Sequence, residues 1–276
     1  MQVGTNSGSI LARIVEARRH AIAHRQRVLP LAVLKMAVAK KVSPPRDFPG
    51  ALSRGSINII AELKKASPSR GLLREDFQPA SLAPALEAAG AAALSVLTEE
   101  DFFQGSLAHL KEARKACGLP VLRKDFIVDP WQVWEARAAE ADSFLLIAAI
   151  LSDESLGELL ALGRELGMEA LVEVHAREEL KRALKAKARI IGVNNRDLAN
   201  FQVRLETSLE LVQAIPDECV AISESGIRVR QDIERLRQAG FDAFLIGEHL
   251  MSYPDPAAAL RGLLGAPQGQ SPGTGA

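Results

Sequence analysis

Eight short apolar runs alternate with segments of helical periodicity, and this alternation constrains the fold more than any other feature of the sequence. Most of the runs are almost continuously apolar, which is typical of parallel strands that are covered on both faces. The runs are 57–63, 91–97, 120–124, 143–148, 169–174, 189–194, 219–223 and 243–247. Apolar residues with helical spacing occupy 153–166 and 178–187 between them, and Asp129-Pro130 is a typical helix start.

Eight strand–helix units in about 210 residues match the size of a (β/α)₈ barrel. A doubly wound open sheet is the alternative α/β architecture. No G-x-G-x-x-G or G-x-x-x-x-G-K-[ST] motif follows any of the strands, which argues against that alternative. The sequence therefore predicts an α/β chain whose residues 51–265 form a TIM barrel.

Residues 1–50 lie outside the repeat, and we predict an N-terminal helical extension there. Its apolar residues form a stripe at helical spacing, and arginines occupy the remaining positions. The stripe comprises Ile10, Leu11, Ile14, Val15 and Ile22, and the arginines are Arg13, Arg18, Arg19 and Arg25. This helix could be a structural cap or a lid over the barrel mouth. At the other end, residues 266–276 are rich in Gly, Pro, Ser and Gln, and we expect a disordered tail.

Charge and cysteine content narrow the class of protein. The 34 basic and 34 acidic residues balance, which argues against binding to nucleic acid or to an anionic membrane surface. The apolar stretch at 29–39 is much shorter than the ~20 residues of a membrane span, and residues 1–9 do not resemble a secretory signal. The two cysteines, Cys117 and Cys219, form no CxxC motif, so we expect a cytoplasmic protein with no metal site.

Polar residues end seven of the eight predicted strands. In a barrel these ends converge on one mouth, where active sites are built. The polar endings are Glu62-Leu63-Lys64, Leu97-Thr98-Glu99, Arg123-Lys124-Asp125, Glu173-Val174-His175, Asn194-Asn195-Arg196, Ser223-Glu224-Ser225-Gly226 and Gly247-Glu248. One such ending marks the exit of a strand to solvent, but seven together indicate a site. Clustered Lys and Glu side chains shift one another's pKa, as acid–base catalysis requires.

Small residues after the last two strands, at Ser225-Gly226 and Gly247, precede helical segments. Barrels bind phosphate at this position through backbone N–H groups. The Ser67–Gly71 loop after the first strand could close over the same anion. From the residues alone, we expect an acid–base enzyme that acts on a small phosphorylated substrate.

Six segments resemble the indole-3-glycerol phosphate synthase family of tryptophan biosynthesis in order, spacing and strand placement. They are AELKKASPS (61–69), LTEEDFFQGS (97–106), LRKDFIVDPWQ (122–132), GVNNRDL (192–198), SESGI (223–227) and LIGEHLM (245–251). The similarity runs from about residue 10 to residue 264. It implies a single enzymatic activity without metal or organic cofactor.

The family's reaction closes an indole ring on 1-(2-carboxyphenylamino)-1-deoxyribulose 5-phosphate, with loss of CO₂ and then of water. By resemblance, Lys124 donates a proton at the C2 carbonyl, and Lys64 holds the anthranilate carboxylate and could act as the acid when water leaves. Glu173 is either the base or the stabiliser of the cationic intermediate. Glu62 and Asn194 position the two lysines and the substrate hydroxyls. Sequence does not divide the proton transfers among the two lysines and Glu173.

The resemblance also assigns the substrate-binding residues. Glu224 and Ser225 line the sugar portion, and Arg196 either contributes charge or pairs with Asp197 or Glu224. Phe102, Phe103 and Phe126 either line the anthranilate ring or belong to the barrel core. Phosphate binding falls to Ser67, Gly226, Gly247 and the backbone N–H of Glu248. His175 begins a loop after its strand, and we expect no catalytic role for it.

Two other functions remain open at this point. One is an aldose–ketose isomerase on a related phosphoribosyl substrate, although the Cys or Asp pair of such enzymes is not evident. The other is a catalytically silent metabolite-binding barrel, against which the intact set of Lys64, Lys124 and Glu173 argues. We expect a monomer or a weak homodimer.

Overall fold

The protein is described by a computed structural model that covers residues 10–41, 43–53, 55–197 and 201–265. Within these residues, eight parallel strands close into a barrel in which each strand pairs with its neighbours in the chain and the last pairs with the first. The strands are β1 (Asn58–Leu63), β2 (Ala93–Leu97), β3 (Val121–Lys124), β4 (Ser143–Ile147), β5 (Glu169–Val174), β6 (Ile190–Asn194), β7 (Val220–Glu224) and β8 (Ala243–Ile246). The predicted TIM barrel is confirmed, and every predicted strand lies within two residues of an observed one.

Helices cover the outside of the barrel. They are α4 (Pro79–Ala88), α5 (Leu107–Ala116), α6 (Pro130–Ala138), α7 (Asp153–Glu165), α8 (Arg177–Lys185), α9 (Glu206–Leu211), α10 (Arg230–Ala239), α11 (Glu248–Met251) and α12 (Pro256–Leu264). The predicted start of α6 is confirmed. The Asp129 carboxylate accepts a hydrogen bond from the Trp131 N–H, and Gln132 Oε1 accepts one from the Asp129 N–H, as in a capping box. No helix among the described residues is long and apolar enough to cross a bilayer.

Strand periodicity divides the buried apolar residues of the barrel into two groups, and a third cluster, of Ile22, Leu34 and Trp131, joins the N-terminal helices to α6. One group lies between strands and helices, and a second group, which includes Ile60, Leu122, Leu171, Ile190 and Ile222, fills the barrel interior. Because strand side chains alternate between faces, residues two positions further along point inward as well. Each inward stripe therefore continues from an apolar layer into the polar mouth.

The N-terminal extension forms α1 (Ile10–Val28), α2 (Leu31–Lys41) and α3 (Phe48–Leu52). Helix α1 lies at the mouth, where Arg18 contacts Asp125 just beyond β3. Helix α3 lies at the opposite end, where Phe48 is fully buried and the Leu52 carbonyl accepts from Asn58 at the start of β1. The extension thus reaches both ends of the barrel.

Arg18 differs from the exposed Arg13 and Arg19 of α1. It lies four residues from both Ile14 and Ile22 and is buried with them. Its guanidinium makes two hydrogen bonds to the Asp125 carboxylate, at 2.9 and 2.6 Å, which offset the loss of hydration. The predicted disordered tail at 266–276, and the first nine residues of the extension, lie outside the described residues.

Candidate active site

A cavity of about 350 Å³ opens at the carboxyl ends of the strands. All fourteen residues to which the resemblance assigns a catalytic, substrate-binding or phosphate-binding role line it. They are Glu62, Lys64, Ser67, Phe103, Lys124, Phe126, Glu173, Asn194, Arg196, Glu224, Ser225, Gly226, Gly247 and Glu248. The closed barrel explains this convergence, since Glu62, Lys124, Glu173 and Glu224 continue the inward stripes of their strands.

Lys124 lies at the centre of the charged part of the cavity. Its Nζ donates to Glu173 Oε2 at 2.6 Å and to Glu224 Oε2 at 3.1 Å. Both carboxylates are buried, with 2% and 1% of the residue exposed. One ammonium group therefore joins two carboxylates that water cannot screen.

A second ion pair stands beside the first. Lys64 Nζ lies 2.7 Å from Glu62 Oε1, which confirms that these two side chains point the same way from β1. Glu62 occupies space above Gly247, where an added Cβ would lie 2.3 Å from Glu62 Oε1. The absence of a side chain at residue 247 is thus a condition for the position of Glu62.

Burial and charge separate the two glutamates that share Lys124. Burial alone would raise the pKa of Glu173, but Lys124 and His175 hold it well below its ordinary value. Burial raises the pKa of Glu224 to about 7; the attraction of Lys124 opposes this rise, and the charge of Glu173 adds to it. Burial also opposes the charge on Lys124, but Glu173 and Glu224 raise its pKa well above the ordinary value. The shared charges therefore separate the two glutamates, since Glu173 is held in its ionised form beside Lys124 and Glu224 has the higher affinity for a proton.

The wall of the cavity near β2 and β3 is aromatic. Phe103 and Phe126 contact one another there, with ring centroids 6.0 Å apart. On a closed ring of eight strands, β3 and β7 stand on opposite sides. The aromatic wall, near β2 and β3, therefore faces the ends of β6 and β7.

The turn after β7 has an unusual backbone. Ser225 and Gly226 both have left-handed φ values, 67° and 83°, and such a pair can aim successive N–H groups at an anion. Asn195 holds the turn, because its Nδ2 donates to the Ser225 carbonyl at 3.1 Å and to the Glu224 carbonyl at 3.0 Å. This contact offsets the strain of a left-handed serine.

Glu248 lies between two arginines at the same edge. Its carboxylate accepts from Arg196 at 2.8 Å and lies 3.2 Å from Arg70 Nε. Arg196 thus pairs with Glu248, rather than with Glu224 or Asp197 as the sequence also allowed. The negative charge of Glu248 is neutralised by these two cations.

Comparison with known proteins agrees with this geometry. A family model described as indole-3-glycerol phosphate synthase matches residues 11–263. The chain belongs to this family. Among the similar proteins, an indole-3-glycerol phosphate synthase of Acidithiobacillus ferrooxidans is 50% identical over 92% of this chain and 98% of its own length. Those of Dehalococcoides mccartyi (50%, covering 92% of this chain and all of the relative) and of Azoarcus sp. (48%, covering 93% and 99%) are similar to the same extent.

Solved structures support the fold alone. A 3-hexulose-6-phosphate synthase from Salmonella typhimurium superposes with a TM-score of 0.62 over 76% of this chain and 98% of that protein, at 13% identity. A mandelate oxidase variant superposes with a TM-score of 0.59 over 86% and 84%, at 17% identity. At such identities, a shared barrel carries no information on the reaction.

Several residues of this synthase-family site escaped sequence reasoning. Arg18 reaches Asp125, which lines the cavity, and His175 Nε2 lies 3.4 Å from Glu173 Oε1. Arg18 carried a signal, since it shares the i, i+4 spacing of its apolar neighbours. His175 carried a signal too, since it lies two positions beyond Glu173 and alternation places it on the same face. Its position at the start of a loop was the reason that no catalytic role was expected.

Gly192 also escaped, and it supports a prediction. An alanine Cβ there would lie 2.1 Å from Glu224 Oε1 and 3.0 Å from Leu171. We expect Gly192→Ala to displace the Glu224 carboxylate and to lower kcat about a hundredfold, as misplacements of about 1 Å do. Steady-state kinetics would measure the loss.

The matched control is Gly157→Ala on α7, where an added Cβ meets nothing within 4 Å. It should retain full activity and gain slightly in stability, since a helical alanine is favoured over glycine. Equal kcat values for the two variants would contradict the steric role of Gly192.

Proposed function

We propose that this chain is an indole-3-glycerol phosphate synthase, which converts 1-(2-carboxyphenylamino)-1-deoxy-D-ribulose 5-phosphate to indole-3-glycerol phosphate, CO₂ and water. The observation that carries the proposal is Lys124, held by two buried glutamates within the same cavity as an aromatic wall. Family membership over residues 11–263 agrees with it.

Lys124 is the acid of ring closure. The ring carbon that carries the carboxylate attacks the C2 carbonyl, whose oxygen gains negative charge as the new bond forms. The ammonium of Lys124 stabilises this charge and supplies the proton. Its raised pKa keeps it charged before the reaction begins.

Lys64 binds the carboxylate that is lost. Its ion pair with Glu62, at 2.7 Å, holds the ammonium at the mouth of β1. When CO₂ leaves, the electron pair of the broken bond neutralises the cationic intermediate and restores the aromatic six-membered ring. Lys64 then protonates the C2 hydroxyl, which departs as water, and Glu224 accepts the proton that is lost from C1. The new C1–C2 double bond completes the aromatic indole.

Glu173 acts as an electrostatic stabiliser. Of the two roles that the resemblance leaves open, its lowered pKa favours this one, because a weakly basic carboxylate accepts protons poorly but stabilises the cationic intermediate well. Glu224, with a pKa of about 7, is better suited to exchange protons at neutral pH. Glu224 with Ser225, and Asn194, bind the sugar hydroxyls.

The phosphate binds at the edge formed by β7, β8 and the loop after β1. Backbone N–H groups at Gly226, Gly247 and Glu248 and the hydroxyl of Ser67 are its donors. The left-handed Ser225-Gly226 turn supports this assignment. The pairing of Glu248 with Arg70 and Arg196 supports the use of its N–H alone, since its carboxylate is held by cations. Phe103 and Phe126 then face the anthranilate ring across the cavity.

We further propose that the enzyme works in the cytoplasm as a monomer or weak homodimer, and that it has no nucleic-acid partner. The balanced charge supports the last point. The two free cysteines, Cys117 and Cys219, support a reducing compartment.

The proposal is tested with the purified full-length chain in the presence of a chelator. We expect the carboxyphenylamino-deoxyribulose phosphate to be converted to a fluorescent indole product with stoichiometric release of CO₂. The same preparation is then given the aminoaldose isomer of this substrate. Isomerisation of that compound without CO₂ release would favour the isomerase, and binding without turnover of either compound would favour the silent barrel.

A further inference from the structure

The charged part of the cavity has more buried carboxylates than cations to balance them. Lys64 pairs with Glu62, which leaves Lys124 as the one cation between Glu173 and Glu224 in the described part of the chain. Each of these carboxylates is almost fully buried, and an uncompensated buried charge is strongly destabilising. A further positive charge or a bound proton is required.

His175 stands where that charge is needed. Its Nε2 lies 3.4 Å from Glu173 Oε1, the oxygen that does not bind Lys124. Its Nδ1 lies 3.2 Å from Glu179 Oε2, and the same oxygen accepts a hydrogen bond from the backbone N–H of His175 at 2.7 Å. The ring is thus held between two carboxylates, an arrangement that favours the imidazolium form.

The imidazole ring of His175 lies outside the active-site cavity. It lines a second cavity of about 450 Å³, together with Glu179, Asn194, Asp197 and Arg204. His175 therefore contacts the side of Glu173 that faces away from the active-site cavity. The other side of Glu173 faces the substrate in that cavity.

We propose that His175 is a positioning residue for the proposed reaction, and that as an imidazolium held by Glu179 it fixes the Glu173 carboxylate and keeps it ionised beside Lys124. This inference rests on the proposed function for its catalytic consequence, but its physical content is the ion pair. With Glu173 neutralised from both sides, the exchangeable proton of the site resides on Glu224. Without His175, the shared Lys124 is the remaining cation beside Glu173, and Glu173 gains affinity for the proton.

The groups that face the imidazole support this assignment. Glu173 on β5 and Glu179 on α8 contact it directly, Lys124 lies beyond Glu173, and Asp197 and Arg204 line the same second cavity. Burial alone would lower the pKa of His175, but Glu173 and Glu179 raise it to about 10. The imidazolium thus persists through neutral pH.

The first test reads the ion pair without any activity. In full-length protein with isotope-labelled histidine, the NMR signal of the His175 ring, identified by its loss in His175→Gln, is followed as pH is raised. We expect the ring to stay protonated above pH 8, and Glu173→Gln to lower its pKa by at least about one unit. Titration near the ordinary value of about 6.5, unmoved by Glu173→Gln, would overturn the proposal.

The second test reads the catalytic consequence. We expect His175→Gln to lower kcat about tenfold to a hundredfold with KM within about twofold, because a charge-assisted contact to a group that acts in the transition state is lost. His175→Arg should restore most of the activity by restoring the charge. Because Glu173 gains affinity for the proton, His175→Gln should raise the pKa on the acidic side of the kcat profile. Glu179→Gln should shift the same pKa in the same direction.

Two surface variants serve as matched controls. His24→Gln and Glu178→Gln change an exposed histidine and an exposed glutamate, and both should retain wild-type kinetics. Unchanged kcat and pH profile in His175→Gln, in an active wild type, would refute the positioning role alone. An inactive wild type would count against the proposed function, and the ring titration would still decide the ion pair.

Discussion

Replacing Lys124 by methionine is expected to lower kcat at least about a thousandfold, since a positioned general acid contributes about 10²–10⁴-fold and this one also stabilises the developing oxyanion. Methionine keeps the four-atom stem of lysine but removes the ammonium group that joins Glu173 to Glu224. The formation of the fluorescent indole product measures the loss. The barrel should still form, because the apolar interior layer below Lys124 is unchanged.

The control is Lys181→Met, the same change at an exposed lysine on α8 that pairs with Glu178. It should leave kcat and KM as in the wild type. The Lys124→Met variant should also lose stability as pH rises, because Glu224, buried without its cation, has a pKa above that of a glutamate in the unfolded chain. Wild-type turnover by Lys124→Met would remove this residue from the mechanism.

The largest effect on stability is expected for Arg18→Ala. Removing one partner of a buried ion pair costs about 3–5 kcal/mol, since the other charge stays buried. Asp125 would retain Arg123 at 2.9 Å and Thr98 at 2.6 Å, so we expect the lower end of this range. Urea unfolding followed by tryptophan fluorescence measures the change. Trp131 is a suitable probe, because its indole N–H donates to the Leu29 carbonyl in the N-terminal extension.

Arg19→Ala is the matched control, since its side chain is exposed one position further along the same helix. It should unfold at the same urea concentration as the wild type. A loss equal to that of Arg18→Ala would contradict the ion pair as the cause, because alanine has a higher helix propensity than arginine and an exposed change should cost little.

The same ion pair predicts a pH dependence. Burial would raise the pKa of Asp125, but Arg123 and Arg18 lower it to about 2, against about 3.9 in an unfolded chain. The contribution of Asp125 to the free energy of unfolding is therefore complete above about pH 4 and is lost as pH falls through about 2, which urea unfolding at a series of pH values measures. In Arg18→Ala this acid-induced loss should be smaller, because less stabilisation remains to be lost.

Much of the site could be predicted because the barrel is built by local rules. The period-two alternation of β1, β3, β5 and β7 places Glu62, Lys124, Glu173 and Glu224 two residues beyond inward apolar residues, and closure of the ring brings all four together. The resemblance then supplied the reaction. Alternation and resemblance both use the order of residues along the chain, and neither requires a distance between two atoms.

The contacts of Arg18, Gly192, Asn195 and His175 could not be predicted in this way. Each depends on a partner that is distant in the chain or on a side-chain direction that strand alternation does not specify. Arg18 and Asp125 are 107 residues apart, and helical spacing says only that Arg18 shares a face with Ile14 and Ile22. Gly192 has no side chain to suggest a role until Glu224 is seen to occupy its space.

The sequence by itself determined the barrel, the strands that form it and the residues that line its mouth, because hydrophobic periodicity and strand-end chemistry are local properties. Only the tertiary structure decided how the charges are paired. The ammonium of Lys124 is shared by Glu173 and Glu224. The imidazole of His175 contacts the other oxygen of Glu173, and Arg18 of the N-terminal helix forms an ion pair with Asp125. Ion pairing falls off with distance and strengthens with burial, and both are set by the closed barrel rather than by any one segment.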